Sequence, residues 1–513
     1  MGNLTQPITG LSSNDPVPGT YLEVLFAQGQ LSGDTGTPKV LFIGPKTTAG
    51  TATLNTTVYQ LTGEDDALDK GGRGMPVHRA MRRFNSICKS AQCYAVFHAQ
   101  ATSGTAASNK VTFAGGTAAA TGVVNYTLTG ETIQVGIPKG TTVTAAATAL
   151  KNEINLQLNW PVTAVSTAGA TTITCRYKGT DGLYIRHHAS ITPGITMTCT
   201  ASAATLQSGA GVPVVSSALD AIEPDKYDYI VPCYNPGATA ATADARVGLI
   251  RTQVLAQALP VVGIRQQVII GHAGTVSQAV TFTAQGTNGP ANSPRFQVVW
   301  QEKSEWEPME VAAAVAAVRY NKEVANPVYN YDNYGKRAND IWGVPKQYLN
   351  SDYPTRTELS TAISGGLTPV AVAGGTKTYI VRSCTASTDV RVRDTAKVTE
   401  ADKFAADLAA RYESMWSSAN LQDDPADANV MVAPTTLTPK RLKSLTILPL
   451  YKSHSDAGWL DSDKTMDKVN GDVVACATGI DPNNGTRINA RCPIHATKQA
   501  HQFAALISEN SSA

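Results

Sequence analysis

Residues 295–324 read RFQVVWQEKSEWEPMEVAAAVAAVRYNKEV, a strand that runs into a helix. Residues 295–300 read as a strand, and residues 40–44 form a compact apolar run, the pattern of a strand covered on both faces. Pro308 then opens an Ala/Val-rich helix over 308–324, where a proline in the first turn loses no hydrogen bond. The same alternation continues toward the N-terminus, with strands over 227–232 and 261–271 and helices over 242–258 and 276–285. It reappears further back as a strand over 40–44, a helix over 76–90 and a strand over 93–98. Val77, Ala80, Met81, Phe84 and Ile87 make one apolar stripe on that helix. Strands joined by helices of about ten residues or more pair in parallel with right-handed crossovers. The sequence therefore predicts an α/β unit with a parallel sheet.

Between Ala101 and Val214 the alternation stops. The only Asp, Glu, Lys and Arg residues there are Lys110, Glu131, Lys139, Lys151, Glu153, Arg176, Lys178, Asp181 and Arg186. Period-two Thr/Val runs (111–113, 126–128, 132–135, 162–166, 171–177) and one helix over 143–156 predict a β-rich module inserted between two halves of the α/β unit. Residues 325–375 read as irregular, with a short helix near 357–363, followed by a strand over 377–383. The C-terminal part reads as helices over 399–418 and 439–454, then strands over 471–477, 487–492 and 501–508. Residues 1–19, polar and rich in Gly, Pro, Ser and Asn, read as a flexible arm ahead of a short extended run.

A chain of 513 residues exceeds a single ordinary core, so two to four domains are expected. Charged residues make up 16%, below the roughly 25% of ordinary soluble domains, which favours burial of surface against other protein. A net charge of +2 gives no field for holding nucleic acid or an anionic membrane. The first residues lack the basic and apolar regions of a signal peptide, and apolar runs are too short to span a bilayer. A soluble protein made in the cytosol, without membrane insertion, is expected. The eight cysteines contain no CxxC pair and read as small buried hydrophobes in a reducing compartment.

Searches for chemistry return little. Gly71-Gly72-Arg73-Gly74 precedes a helix but lacks GxxxxGK[ST] and GxGxxG spacing, so it reads as a glycine turn. Arg73, His78, Arg79, Arg82 and Arg83 form a basic cluster, read as a solvated helix face or a patch for a neighbouring subunit's carboxylates in preference to a nucleic-acid contact, since no aromatics interleave it. There is no GxSxG. His272, in Gly271-His272-Ala273-Gly274 after a strand, sits where α/β sheets often hold ligands, yet no Ser or Cys partners it by pattern. His187 and His188 face opposite ways if extended and make a poor metal pair. No catalytic residue, metal or cofactor is expected.

In order along the chain, several segments resemble Mu-like contractile tail sheath proteins: Val17-Pro18-Gly19-Thr20-Tyr21, Val40-Leu41-Phe42-Ile43-Gly44, and Gly72-Arg73-Gly74 before the helix containing Arg83-Phe84. Asn292-Ser293-Pro294-Arg295 leads into the Ala312–Ala317 helix segment. The most specific are Asp481-Pro482-Asn483-Asn484-Gly485-Thr486-Arg487-Ile488-Asn489 and, last, 502–507. The resemblance implies a subtilisin-like α/β core without a working triad, an inserted β-rich outer domain and an α+β C-terminal domain near an inner tube. The expected limits are an N-terminal arm over 1–36, sheath core over 37–100 and 217–395, the insertion over 101–216, and the tube-proximal domain over 396–513. It also implies subunits stacked as hexameric rings in a helical sheath, an inner tail tube protein, and baseplate and tail terminator proteins as partners. Direct contact with nucleic acid is not implied.

Exchanged terminal strands would tie subunits together during contraction, with backbone hydrogen bonds joining them and flexible arms absorbing displacement. The candidates are Tyr21, Leu22, Glu23, Val24, Leu25 and Phe26 at one end, and Gln502, Phe503, Ala504, Ala505, Leu506 and Ile507 at the other. Alternatively, both strands pair within their own subunit. Asp402, Lys403, Arg411, Lys440, Arg441 and Lys443 are the tube-facing candidates. Two further readings stand beside this one: the sheath of a phage-derived injection particle and a degenerate α/β hydrolase. An adhesin is disfavoured for want of a secretion signal or fibre repeats.

Overall fold

The computed structural model describes residues 38–223, 225–236, 244–260, 262–331, 350–373, 377–427, 430–461, 465 and 476–497. Both candidate exchanged strands, 21–26 and 502–507, and most of the expected strand at 471–477 lie outside the described residues.

Strand β1 (Lys39–Pro45) is buried along all but its first residue. Its side chains alternate between two cores, Val40 and Phe42 on one face and Leu41 and Ile43 on the other. Next come β2 (Val58–Leu61), α1 (Glu64–Gly71), α2 (Pro76–Ile87) and β3 (Gln92–His98). The chain then leaves this sheet to form β4 (Ala106–Ala114), β5 (Gly122–Leu128), β6 (Glu131–Ile137), α3 (Val143–Leu156), β7 (Val162–Thr167), β8 (Ala170–Lys178), β9 (His187–Ile191) and β10 (Thr198–Ala201). After α4 (Ser216–Asp220) it returns with β11 (Tyr229–Pro232), α5 (Ala245–Gln257), β12 (Gln267–His272), α6 (Val276–Ala284), β13 (Phe296–Trp300) and α7 (Pro308–Glu323). Helix α8 (Arg356–Ser364), β14 (Leu367–Ala373) and β15 (Lys377–Ile380) follow.

The large sheet has eight strands in the order β15-β14-β13-β12-β11-β1-β3-β2. From β3 to β14 every pairing is parallel, and antiparallel strands β2 and β15 close the two edges. Helices α2 and α7 cover one face, and α4, α5, α6 and α8 cover the other. The Ala-rich helix α7 lies close to the sheet because Gly271 in β12 leaves room for it: a Cβ there would stand 1.9 Å from the Pro308 carbonyl oxygen.

Residues 106–201 build a separate core. A four-stranded sheet, β10-β4-β8-β7, faces a three-stranded one, β6-β5-β9, and α3 packs with them. Thr142 caps α3 by accepting the Ala145 amide.

Helix α9 (Thr395–Trp416) opens the last unit. The short pair β16 (Asn420–Leu421) and β17 (Thr436–Leu437) is followed by α10 (Pro439–Arg441), a π-helical turn over Leu442–Ile447, and α11 (Leu448–Asp456). Strands β18 (Ala477–Asp481) and β19 (Asn484–Arg491) make an antiparallel hairpin, and the segment 481–489 supplies its turn and most of β19. Phe404, Leu408, Trp416, Ile447 and Tyr451 are among the residues of its core. No described helix is long and apolar enough to cross a membrane.

Two expectations change. The stretch 325–375 is not wholly irregular, because β14 is an interior strand of the large sheet. Pro369 disguises it, since proline cannot donate to a ladder. The structure places Pro369 where pairing passes from β13 to β15. The helix expected over 439–454 widens into a π turn just before Pro449, which lacks the amide an α-helix would use there.

Candidate functional site

In an open α/β sheet, ligands enter where neighbouring strands connect in opposite directions, beyond the strand C-terminal ends. Here that point lies between β1 and β11, because the chain runs from β1 toward β3 on one side and resumes at β11 on the other. This chain fills the place with its own charges.

Glu307, at the N-cap of α7, is fully buried. Its carboxylate accepts from the Arg79 guanidinium of α2, from Asn235 Nδ2 at 3.0 Å and from Tyr177 Oη of β8 at 3.1 Å. Burial pushes the Glu307 carboxyl upward, and the Arg79 charge opposes that rise. Glu310, one turn on, accepts from Arg79 and, at 2.9 Å, from Arg83 Nε. Glu131 of β6 joins from the inserted unit, 2.9 Å from Arg82, 3.3 Å from Arg83 and 2.8 Å from Trp160 Nε1.

A second knot sits beside the first. Arg246 of α5 donates to both Asp181 oxygens, at 2.6 and 2.9 Å, and at 2.7 Å to Asp244. Asp181 lies in the 3-10 turn Thr180–Tyr184 of the inserted unit and also accepts the Asn235 amide at 2.9 Å. Asn235 Oδ1 in turn accepts the Met309 amide at 3.1 Å. Tyr234 lies against Arg246 and is 3.0 Å from His98 Nε2. The arrangement joins α2, the inserted unit, residues 234–246 and the start of α7 in a polar network, and such networks specify one geometry when every member is satisfied.

A comparable network joins α7 to α9. Arg319 binds Glu323 at 2.6 Å, Gln297 at 2.9 Å and Gln267 at 2.8 Å. Glu323 also accepts from Tyr229 at 2.7 Å and from Thr399 of α9 at 3.1 Å. Arg295 clasps Asp402 of α9 with two bonds, at 2.7 and 3.0 Å.

The reading of the basic cluster is corrected in part: Arg79 is buried and Arg83 nearly so, both paired within the chain, Arg82 is paired with Glu131 while a third exposed, and Arg73 remains on the surface. Its glycine turn has a packing reason: at Gly74, with φ of +70°, a Cβ would stand 2.4 Å from the Trp160 carbonyl oxygen. His78, pushed down to about 4 by burial and then by neighbouring arginines, accepts the Gly74 amide. His272 accepts the Gly274 amide through Nδ1 at 3.1 Å, and burial pushes it down to about 4. Among the described residues no Ser or Cys hydrogen-bonds it.

Of the tube-facing candidates, Asp402 points to Arg295, Lys403 pairs with Asp407 at 2.7 Å, and Arg441 donates to the carbonyls of Val432, Ala433 and Thr436. Lys440 is exposed, and Arg411 and Lys443 are half-buried. The eight cysteines are unbridged: six are buried, with Cys199 and Cys492 half-buried.

No protein-family model matches the chain. Over 338 residues it is 24% identical to the Mu-like prophage FluMu tail sheath protein of Haemophilus influenzae. The chain is similar to a tail sheath protein. The match takes in 64% of the chain and spans 66% of that relative's length, and the resemblance read from the sequence motifs is borne out by it. The sheath complex of an extracellular contractile injection system (PVC) in the contracted state matches 98% of the chain and 99% of its own, at 11% identity and a TM-score of 0.47. The anti-feeding prophage helical sheath in the contracted state matches 97% of the chain and 100% of its own, at 11% identity and a TM-score of 0.46.

Proposed function

We infer that the chain is a structural subunit of a contractile tail sheath, which polymerises around an inner tail tube and contracts to drive it through the target envelope. The similarity to the Mu-like tail sheath protein over 338 residues carries this reading. The filled crevice supports a structural rather than catalytic role, because the place where such a sheet would hold a substrate is occupied by Glu307, Arg79, Asp181 and Arg246. The sheath of a phage-derived contractile injection particle rests on the same similarity.

On this reading the parallel sheet is the subtilisin-like core, residues 101–216 are an inserted outer domain, and 396–513 form the tube-proximal domain. Copies stack as hexameric rings in the particle tail after assembly in the bacterial cytoplasm, with tube, baseplate and terminator proteins as partners. Contraction redocks intact subunits, which suits a molecule whose units are knotted by buried ion pairs. Residues 21–26 and 502–507 are the exchanged strands. Tube contact falls to Lys403, Arg411, Lys440, Arg441 and Lys443, Lys440 being the most open, while Asp402 reaches the tube only by giving up Arg295. Sedimentation velocity tests the reading: the full chain should run as large polymers and a variant lacking residues 1–27 as a folded monomer. Polymers of equal size from both would remove the strand exchange, and monomers from both would remove the sheath.

A further inference from the structure

The open end of the β18–β19 hairpin carries two cysteines. Ala477 faces Arg491 in this antiparallel ladder, so one step further out Cys476 faces Cys492. Residues opposite each other send their side chains to the same face, and the period of two puts Ile488 on that face as well. Cys476 lies in the core of the C-terminal unit, and Ile488 and Cys492 pack against that core. The two thiols are hydrogen-bonded to each other. Tyr451 Oη donates at 2.5 Å to the Pro493 carbonyl, which fixes the backbone beside Cys492.

Facing residues in an antiparallel ladder have Cα atoms about 4.5–5.5 Å apart, inside the range of about 4.4–6.8 Å that a disulfide spans. The pair can therefore be linked with the hairpin backbone left in place. Cys88 and Cys93, the cysteines nearest each other in sequence, follow α2 and sit in β3 without facing each other in a ladder, and both are buried. Cys492 is different: it is half-buried and follows the exposed Arg491, so a small reagent reaches the pair from its side.

We propose that Cys476 and Cys492 form a redox modification site, which a peroxide oxidises to a disulfide that staples the C-terminal hairpin. The Cys492 thiolate attacks one oxygen of hydrogen peroxide and the O–O bond breaks. The sulfur becomes a sulfenic acid, and the departing hydroxide takes up the thiol proton as water. The Cys476 sulfur then attacks the Cys492 sulfur. An S–S bond forms as the S–O bond breaks, and the second hydroxide leaves with the Cys476 proton as water. The two thiols give up two electrons and the peroxide accepts them. The hydrogen bond with Cys476, and then burial, hold the Cys492 thiol well above its ordinary range, so its thiolate is scarce near neutrality and the first step speeds up as pH rises.

The proposal is independent of the sheath reading. Treating the purified full chain with hydrogen peroxide and mapping its tryptic peptides without reductant tests it. Peptides 469–487 and 492–498 should appear joined, lighter than their sum by two hydrogens, and dithiothreitol should part them. The linked chain should melt about 5 °C higher than the reduced one, because the bond closes a loop that the unfolded chain otherwise leaves open. Cys492→Ser should lose both the joined peptides and the rise, while the mapping of the unaltered chain stands whether or not that variant folds. Both thiols still unlinked after treatment, or either one joined to a different cysteine, would overturn the proposal. So would a linked chain that melts where the reduced one does, since the bond would then staple nothing.

Discussion

Asp181 is 2% exposed and holds Arg246 with two hydrogen bonds across the joint between the inserted and α/β units. Removing one member of a buried ion pair leaves the other poorly compensated. Asp181→Ala should therefore lower unfolding free energy by about 3 kcal/mol, read from the denaturant midpoint. An unchanged midpoint would mean that Asp244 alone satisfies Arg246. His454 gives a second prediction. Burial works against its protonation, but hydrogen bonds to Asp407 and Glu400 outweigh that and hold it up at about 8. A folded value above the ordinary one of 6.5 means that the charged form favours folding. That contribution, at most about 2 kcal/mol, is fully present below about pH 6.5 and fades as pH rises through about 8. The melting temperature should fall across this window, and His454→Gln should flatten the dependence. The arginine cluster was visible in the sequence, but its partners were not: Arg83 meets Glu310 227 positions away and Glu131 48 positions away. Only the Glu307-Pro308-Met309-Glu310 pattern, a capping box with proline at the helix start, marked any of them locally.

Elements were more legible than side-chain partners because their signal is local. Strand β1 announces itself by the apolar run 40–44, β12 and β13 by shorter runs of Val and Ile, and α3 spans the 143–156 expected from its period. Strand β14 escaped because Pro369 breaks the pattern, and the π turn because its cause, Pro449, acts on the preceding turn. The inserted unit has its own core, to which the rest of the chain contributes Met75. Residues 101–214 produced alone should therefore fold cooperatively, as followed by circular dichroism. The chain with a short linker in their place should stay folded but melt lower, since Arg246 loses Asp181, Glu307 loses Tyr177 and Met75 is uncovered. A non-cooperative melt of the isolated piece would refute its autonomy.

At the scale of the molecule, buried ion pairs tie the inserted unit to the parallel sheet and the sheet to α9. On the proposed sheath reading, a subunit built this way would move as a body while contacts between copies change. The switch-point crevice of the same sheet is filled by Glu307 and Asp181. Low charge, ordered motifs and strand–helix alternation made the sheath reading available from sequence, whereas joints formed by residues far apart in the chain became visible only on folding. Negative-stain electron microscopy of the purified full-length chain tests the central claim most directly. Regular hollow tubes are predicted; dispersed monomers, with no tubes at any protein or salt concentration, would contradict it.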